Sequence, residues 1–193
     1  MTSNEIIILN FEEIRRRSLK LWNGIIPEMY FWKPDNEAMN TIEMIRHILE
    51  GEHLFHTIVN NRGNLGEYIS PWNEKPYISL QDEIDFAEPY RKKFIETMKS
   101  YKAEEFETIE IIRSEKGQRR KLGDYLQRIA YHEAVHTGQI LSYMRTYGIE
   151  NFFERKPIRK SSRIFRFRRR KWKICIKRFS TRWVSCLSCH IKF

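Results

Sequence analysis

Two histidines, His132 and His136, lie four positions apart in a segment whose apolar spacing predicts an α-helix. A helix turns once every 3.6 residues, so side chains at i and i+4 project from one face, about 6 Å apart along the axis. Both histidines belong to the apolar stripe of that helix, which also includes Tyr125, Ile129, Ile140, Tyr143 and Tyr147. An apolar face packs inward. The chain is therefore expected to fold around two imidazoles that can chelate one metal ion.

Four helices are predicted from the apolar spacing and from end signals. They cover approximately residues 10–22, 41–60, 79–101 and 122–147. Asn40 and Glu43 have the spacing of a capping box at the start of the second helix, although such a box usually begins with Ser or Thr. Ser79 is the predicted N-cap of the third helix and Gly148 ends the fourth. Pro89 inside the third helix predicts a kink.

The connection between the second and third helices is long, and it contains Gly63, Gly66, Pro71 and Pro76. We interpret residues 61–79 as a crossover loop. A loop of this length in a compact domain is often functional. The sequence therefore predicts an all-α fold, a four-helix bundle with a long crossover between helices 2 and 3.

The segment before the fourth helix is ambiguous. Residues 107–113 alternate weakly between apolar and polar side chains and can form a short strand. Gly117 and Gln118 resemble a turn. The first helix is predicted to bury Phe11 and Ile14, with Arg15 on the opposite, solvent-facing side.

A third histidine, His47, lies in the inward stripe of the second helix. For one histidine on an apolar face, a hydrogen-bonded core residue is the favoured interpretation. Three imidazoles on the inward faces of two helices favour a metal site of His47, His132 and His136, because neutral imidazole is a common ligand of zinc and nickel. Three protein ligands leave one coordination position open. Gly51, one turn after His47, is expected to leave room beside the ion.

Two further histidines, His53 and His56, fall on other sides of the second helix. We expect both side chains to be partly exposed and neither to be a ligand.

The fourth helix also spells H-E-x-x-H, the signature of zinc metalloproteases, with Glu133 in the second position. One protease class requires a third histidine where this chain has Ser142, and its glycine one position after Gly138. Another class takes a glutamate from a following helix, and Glu150 and Glu154 lie too close for that. Such proteases also place a sheet edge before the metal helix to hold the peptide substrate, and no convincing sheet is predicted before this helix. The protease interpretation is therefore disfavoured. Glu133 remains unassigned between a partner or base of the site and an ordinary solvated or interhelical charge.

The fourth helix resembles the last core helix of the DinB-like (damage-inducible) family of small bacterial metal-binding proteins. The family's run H-x-x-x-H-x-G-Q-I, followed by an aromatic residue, an arginine and a glycine, is matched by residues 132–140 and by Tyr143, Arg145 and Gly148. Residues 41–56 resemble the family segment that carries the first metal histidine, which corresponds to His47. The resemblance covers approximately residues 10–155.

This resemblance implies a four-helix bundle, often homodimeric, with a nickel or zinc ion on a three-histidine site at His47, His132 and His136. It implies a small-molecule substrate, because characterised relatives include transferases and isomerases that use low-molecular-weight thiols. The expected function is a metal-dependent transferase with a thiol cosubstrate, or a hydrolase. Three aromatic residues outside the helix stripes can support a dimer or cap the bundle: Trp32, Trp72 and Tyr77.

The net charge of +10 belongs to the C-terminal end of the chain. Residues 157–193 hold 13 Lys and Arg and no Asp or Glu, which leaves residues 1–156 with 22 basic and 25 acidic residues. All three cysteines also lie in 157–193, so no disulfide framework is predicted for the rest. We therefore divide the chain into a DinB-like domain, residues 1–156, and a basic tail, residues 157–193.

The tail permits several interpretations. Its basic cluster, residues 166–173, can bind nucleic acid or an anionic membrane surface, which is the alternative function. Cys186, Cys189 and His190 match the attachment pattern of c-type haem. That attachment requires export, whereas the chain's start lacks a secretory signal and no apolar run is long enough to span a membrane. A cytoplasmic location is expected. The tail can also be an out-of-frame extension without a selected role.

Overall fold

The computed structural model describes residues 1–149, and the predicted tail lies outside the described residues. Within this range the protein is mostly helical, with one small antiparallel sheet. The elements are α1 Ser3–Trp22, α2 Thr41–Asn60, α3 Leu80–Ser100, α4 Glu105–Thr108, β1 Glu110–Arg113, β2 Gln118–Lys121 and α5 Leu122–Tyr147. The predicted helical class is correct, and the short strand considered for residues 107–113 is present as β1, paired with β2.

The predicted ends of α2 and α5 agree with the structure, and those of α3 agree to within one residue. At the start of α2 the side chain of Asn40 accepts from the backbone N–H of Glu43 at 3.0 Å, and the Glu43 carboxylate accepts from the N–H of Asn40 at 2.8 Å. Asparagine therefore serves in this capping box as serine would. The hydroxyl of Ser79 accepts from the N–H of Asp82 at 3.1 Å, and α3 continues through Pro89 to Ser100.

The first helix begins earlier than the sequence predicted, at Ser3 instead of about residue 10. Thr2 and Glu5 form a capping box at its start, which satisfies backbone N–H groups that a helix terminus otherwise leaves unpaired. Ile7 and Phe11 are both buried, so the apolar stripe of α1 extends through this added part. The short apolar run near the chain start is thus the first turns of a helix.

The neighbouring helices α2 and α3 run parallel to each other. Near their starts Arg46 pairs with Glu83, and near their ends His56 contacts Thr97, so contacts advance along both helices together. Two parallel helices that are consecutive in the chain require a connection that returns along their full length. Residues 61–79 form this connection and contain no helix or strand.

The helices α1 and α5 also run parallel, with Asn10 bonded to Gln127 and Ser18 bonded to Thr137. In addition α5 packs against α2, and α1 packs against α3, which completes four contacting helix pairs. The core between them holds large, fully buried side chains, among them Trp22, Phe94, Met29, Ile45, Ile48, Met98, Leu126 and Ile140. In the part of the chain that the structure describes, no helix has the length and apolar character needed to cross a membrane.

The two strands pair antiparallel, from Glu110 opposite Lys121 to Arg113 opposite Gln118. The sheet docks on the loop that follows α2, where the N–H of Ile112 donates to the carbonyl of Arg62 at 3.0 Å. Gly63 has φ +113°, and a Cβ there would lie 2.0 Å from the carbonyl oxygen of Ile112. Only glycine fits this close approach.

The three aromatic residues outside the predicted stripes all have partners within the chain. Trp32 makes edge contacts with two tyrosines of α5, and Trp72 is buried against aromatic residues of α3. The ring of Tyr77 lies 3.6 Å from the guanidinium of Arg46. These residues therefore pack the connections onto the helices, and the homodimer stays a prediction.

Candidate metal centre

Three histidines from two helices converge at one point inside the described part of the chain. His47 comes from α2, and His132 and His136 come from consecutive turns of α5. One ring nitrogen from each lies within 4.8 Å of the others. The ring centroids are 4.5 Å apart for the two α5 histidines and 4.9 Å apart for each pair that includes His47. The structure thus brings together all three residues that the sequence analysis selected.

The surroundings of the three rings differ. His132 and His136 are buried, whereas His47 is half-buried. The ring of Phe55 meets His132 edge-on, with centroids 5.5 Å apart. The space left by the missing side chain of Gly51 is filled by the His132 ring, in contrast to the predicted room beside an ion.

Hydrogen bonds orient two of the ring nitrogens. His136 donates from Nδ1 to Oε1 of Gln139 at 2.6 Å, so its Nε2 carries a lone pair. Nε2 of His132 lies 3.0 Å from Nε2 of His47. A hydrogen bond from the second nitrogen of a ligand histidine is the usual device that fixes its tautomer and ring orientation. Gln139 is placed to orient the His136 ring in this way.

Burial keeps the imidazoles of this cluster neutral. Desolvation, with a smaller contribution from His136, lowers the pKa of His47 to about 4. Desolvation, with the neighbouring His136 and His47, lowers the pKa of His132 to about 3. The pKa of His136 is also lowered by burial, against an opposing effect of the bond to Gln139. At neutral pH all three rings are therefore in the form that binds metals.

The donor set fits a divalent metal ion. Two nitrogen ligands at about 2.0 to 2.1 Å from one ion lie roughly 3 Å apart, and the two Nε2 atoms of His47 and His132 are separated by 3.0 Å. Two ligands on opposite sides of an ion lie at most about 4.2 Å apart at these bond lengths. The three ring nitrogens all lie within 4.8 Å of one another, a separation at which the group could hold a metal ion. Three neutral imidazoles suit zinc and nickel.

The glutamate of the H-E-x-x-H segment is not directed to this cluster. Both carboxylate oxygens of Glu133 accept hydrogen bonds from the guanidinium of Arg15, at 2.8 and 3.0 Å. Arg15 and Glu133 are 7% and 5% exposed, so a solvated charge is excluded. A carboxylate held in this way cannot serve as the general base of a zinc protease. Of the two interpretations left open by the sequence, the interhelical charge is correct.

Arg15 was predicted on the solvent-facing side of α1, and this is wrong. It is buried and also lies 3.4 Å from the carboxylate of Glu52, which pairs in turn with Arg91. Burial alone would lower the pKa of Arg15, but the carboxylates of Glu52 and Glu133 raise it above its ordinary value. The available signal was the spacing of Arg15 four residues after the buried Phe11, which places both on one helix face.

The remaining α2 histidines stay outside the cluster, as predicted. His53 is half-buried among aromatic rings, the nearest being Tyr90 at 4.6 Å between centroids. His56, however, is 3% exposed, so the prediction that it is partly exposed is wrong. Its Nε2 donates to the hydroxyl of Thr97 at 2.9 Å, and that hydroxyl donates to the carbonyl of Lys93.

Comparison with known proteins identifies relatives of this fold and sequence. YjoA, an uncharacterised protein of Bacillus subtilis (strain 168), is 26% identical over 148 residues, which cover 77% of this chain and 93% of the relative. The crystal structure of a DinB-like protein, YjoA of Bacillus subtilis, superposes with a TM-score of 0.56 at 24% sequence identity. That alignment covers 75% of this chain and 93% of the other, and it shows a shared fold.

The family comparison covers the helices that carry the three histidines. The model of the DinB superfamily matches residues 10–140, which include α2 with His47 and the part of α5 with His132 and His136. This range is more than half of the chain. The chain belongs to the DinB superfamily.

Proposed function

We propose that this protein binds one divalent metal ion, nickel or zinc, through His47, His132 and His136, and acts as a metal-dependent enzyme on a small molecule. The reaction is a group transfer that uses a low-molecular-weight thiol as cosubstrate, or a hydrolysis. The observation that carries the proposal is the convergence of three neutral imidazoles within 4.8 Å. Membership of the DinB superfamily supports it.

A divalent ion with three protein ligands and an open position lowers the pKa of a thiol or a water molecule that reaches it. The residues of this chain set the conditions for that chemistry. Burial of His132 and His136 holds two of the proposed ligands in a dry environment, whereas His47 is half-buried. Gln139 orients His136. Glu133 is excluded as a proton acceptor by its pairing with Arg15.

The proposal includes the architecture expected from the resemblance. We infer that the four long helices form a four-helix bundle with a crossover, which the parallel pairs α1–α5 and α2–α3 support. The homodimer and the cytoplasmic location remain predictions. A monomeric mass for residues 1–156 at micromolar concentration would contradict the dimer.

Metal analysis of the purified protein tests the proposal. We expect about one equivalent of nickel or zinc per chain, and we expect His132→Ala and His136→Ala to abolish binding. His53→Ala is the control. His53 is half-buried on α2, as His47 is, but it lies outside the cluster. Metal should also raise the unfolding temperature of the wild type and not of the ligand variants, because binding to the folded state adds stability. Wild-type protein that binds neither ion would end the proposal.

Deletion of residues 157–193 separates this function from the alternative in the basic tail. Metal content and thermal stability should be nearly unchanged in the shortened chain, since all three ligands lie in residues 47–136. A large loss of both would show that the domain boundary is wrong. Binding of nucleic acid or anionic vesicles that disappears with the tail would establish the alternative activity.

A further inference from the structure

Gly51 lies on the buried face of α2, one turn after His47, where the helix meets the ring of His132. A Cβ built at this position would lie 3.0 Å from Cε1 of His132, 3.6 Å from Nδ1 and 3.9 Å from Nε2. The imidazole therefore packs directly on the α2 backbone, and an added methyl group would require the ring to shift by a few tenths of an ångström. The His132 ring also contacts Phe55 edge-on, and its Nε2 lies 3.0 Å from Nε2 of His47.

We propose that Gly51 is a positioning residue of the metal centre, which sets the depth at which His132 enters the cluster. This inference rests on the proposed metal-binding function. Positions i and i+4 share a helix face, so His47 supplies one ligand and Gly51 supplies the surface against which the next ligand rests. A side chain at Gly51 would push the His132 ring away from α2 and change the 3.0 Å separation between its Nε2 and that of His47.

The position is distinguished from an ordinary helical glycine by comparison with Gly138. Glycine in a helix interior is less stable than alanine, so both positions weaken their helices. A Cβ at Gly138 would meet nothing within 4 Å, although this residue lies only two positions after the ligand His136. A Cβ at Gly51 would meet the ligand ring itself. Gly51 thus has a specific neighbour that requires it, and Gly138 provides a matched control.

The test compares Gly51→Ala with Gly138→Ala in the full chain, by titration of Zn²⁺ and Co²⁺ against a chromophoric chelator. We expect Gly51→Ala to weaken metal binding by about 10-fold or more, the range seen when the residues that support a ligand are changed. The absorption spectrum of bound Co²⁺ should change as well, because it reports ligand geometry. Gly138→Ala should match the wild type in both measurements. Wild-type affinity and spectrum in Gly51→Ala would overturn the proposal.

A second measurement keeps the proposal testable if Gly51→Ala folds poorly. Without metal, the Gly51→Ala variant should unfold at a lower temperature than the wild type. In a His132→Ala background, where no ring occupies the space, the same change should raise it, because alanine favours the helix. An equal effect in both backgrounds would show that Gly51 acts independently of His132. Failure of the wild type to bind any metal would instead reject the proposed function and this inference together.

Discussion

Arg15 of α1 and Glu133 of α5 form a buried, bidentate ion pair, in which Nε and Nη2 donate to the two carboxylate oxygens at 2.8 and 3.0 Å. The pair lies midway along two parallel helices, and Glu133 is adjacent in sequence to the candidate ligand His132. In an H-E-x-x-H protease the glutamate of this motif is the general base. Here the glutamate, Glu133, instead joins α5 to α1 through Arg15. The role of the glutamate is thus decided by the partner that the fold presents to it.

Replacement of Glu133 by glutamine should strongly destabilise the protein. It leaves Arg15 buried with Glu52 as its remaining partner, at 3.4 Å. Loss of one member of a buried ion pair typically costs about 3 to 5 kcal/mol. Urea denaturation of the metal-free protein measures this change in the free energy of unfolding. Metal stoichiometry of the folded fraction should stay at the wild-type value, because Glu133 is not a ligand.

Glu13→Gln is the control for this experiment. Like Glu133, Glu13 is a glutamate in an ion pair with arginine. Its partners, Arg16 and Arg17, lie on the exposed surface of α1. Exposed ion pairs contribute little to stability, so its unfolding curve should coincide with that of the wild type. Equal effects of Glu133→Gln and Glu13→Gln would contradict the importance assigned to the buried pair.

Arg46 anchors the crossover, and its replacement by methionine should loosen residues 61–79. The guanidinium donates to the carbonyls of Lys75 at 2.6 Å and Pro76 at 3.0 Å, and it pairs with the fully buried Glu83. Among the residues that the structure describes, removal of the Arg46 charge leaves Lys75, at 3.2 Å, as the remaining ion-pair partner of Glu83. We expect a loss of about 3 to 5 kcal/mol in the free energy of unfolding.

Hydrogen exchange distinguishes a local effect of Arg46→Met from a general one. Amide protons of residues 61–79 should exchange faster in the variant than those of the α1–α5 interface. Lys92→Met is the control, since Lys92 pairs with Glu88 on the exposed side of α3. Uniform acceleration across the described residues would show that Arg46 has no special role in the crossover.

His56 should make the metal-free protein less stable as the pH falls. Burial, with smaller effects of His53 and Lys93, lowers its pKa from 6.5 to about 4. Between these values the unfolded chain binds a proton that the folded protein does not, so stability decreases as pH decreases from 6.5 to about 4. In His56→Gln, which can still donate to Thr97, this decrease should be smaller. Urea midpoints at several pH values measure it, and identical slopes would contradict the assignment.

The helices could be predicted because their signals are local. The capping pair Asn40 and Glu43, the N-cap Ser79 and the C-terminal Gly148 each act within one turn of a helix end, and the structure places all of them as helix caps. The start of α1 at Thr2 had the same kind of signal, a Thr followed three positions later by Glu5. The predicted range nevertheless begins at about residue 10, so the first turns of α1, from Ser3 onward, lie outside it.

The candidate ligands could be selected because each lies on an inward stripe of its own helix. Arg15 and His56 show where such reasoning fails. Both are polar residues that are buried by partners far away in sequence, Glu133 for Arg15 and Thr97 for His56. Their burial depends on which helices run parallel and at what height they pack, and that information is absent from the periodicity of any one helix. The contact of Gly51 with His132 depends on it in the same way.

Loss of Gln139 should weaken metal binding without removing a ligand. Its Oε1 accepts from Nδ1 of His136 at 2.6 Å and so holds the lone pair of Nε2 toward the cluster. Gln139→Leu removes this acceptor, and we expect the affinity for Zn²⁺ to fall about 10- to 100-fold, as for other partners of ligand histidines.

Gln139→Glu keeps an acceptor at the same place and should retain most of the affinity. Gln127→Leu, which removes only an exposed bond to Asn10, is the surface control. Chelator competition measures all three, and equal affinities of Gln139→Leu and Gln139→Glu would show that orientation of His136 does not depend on this hydrogen bond.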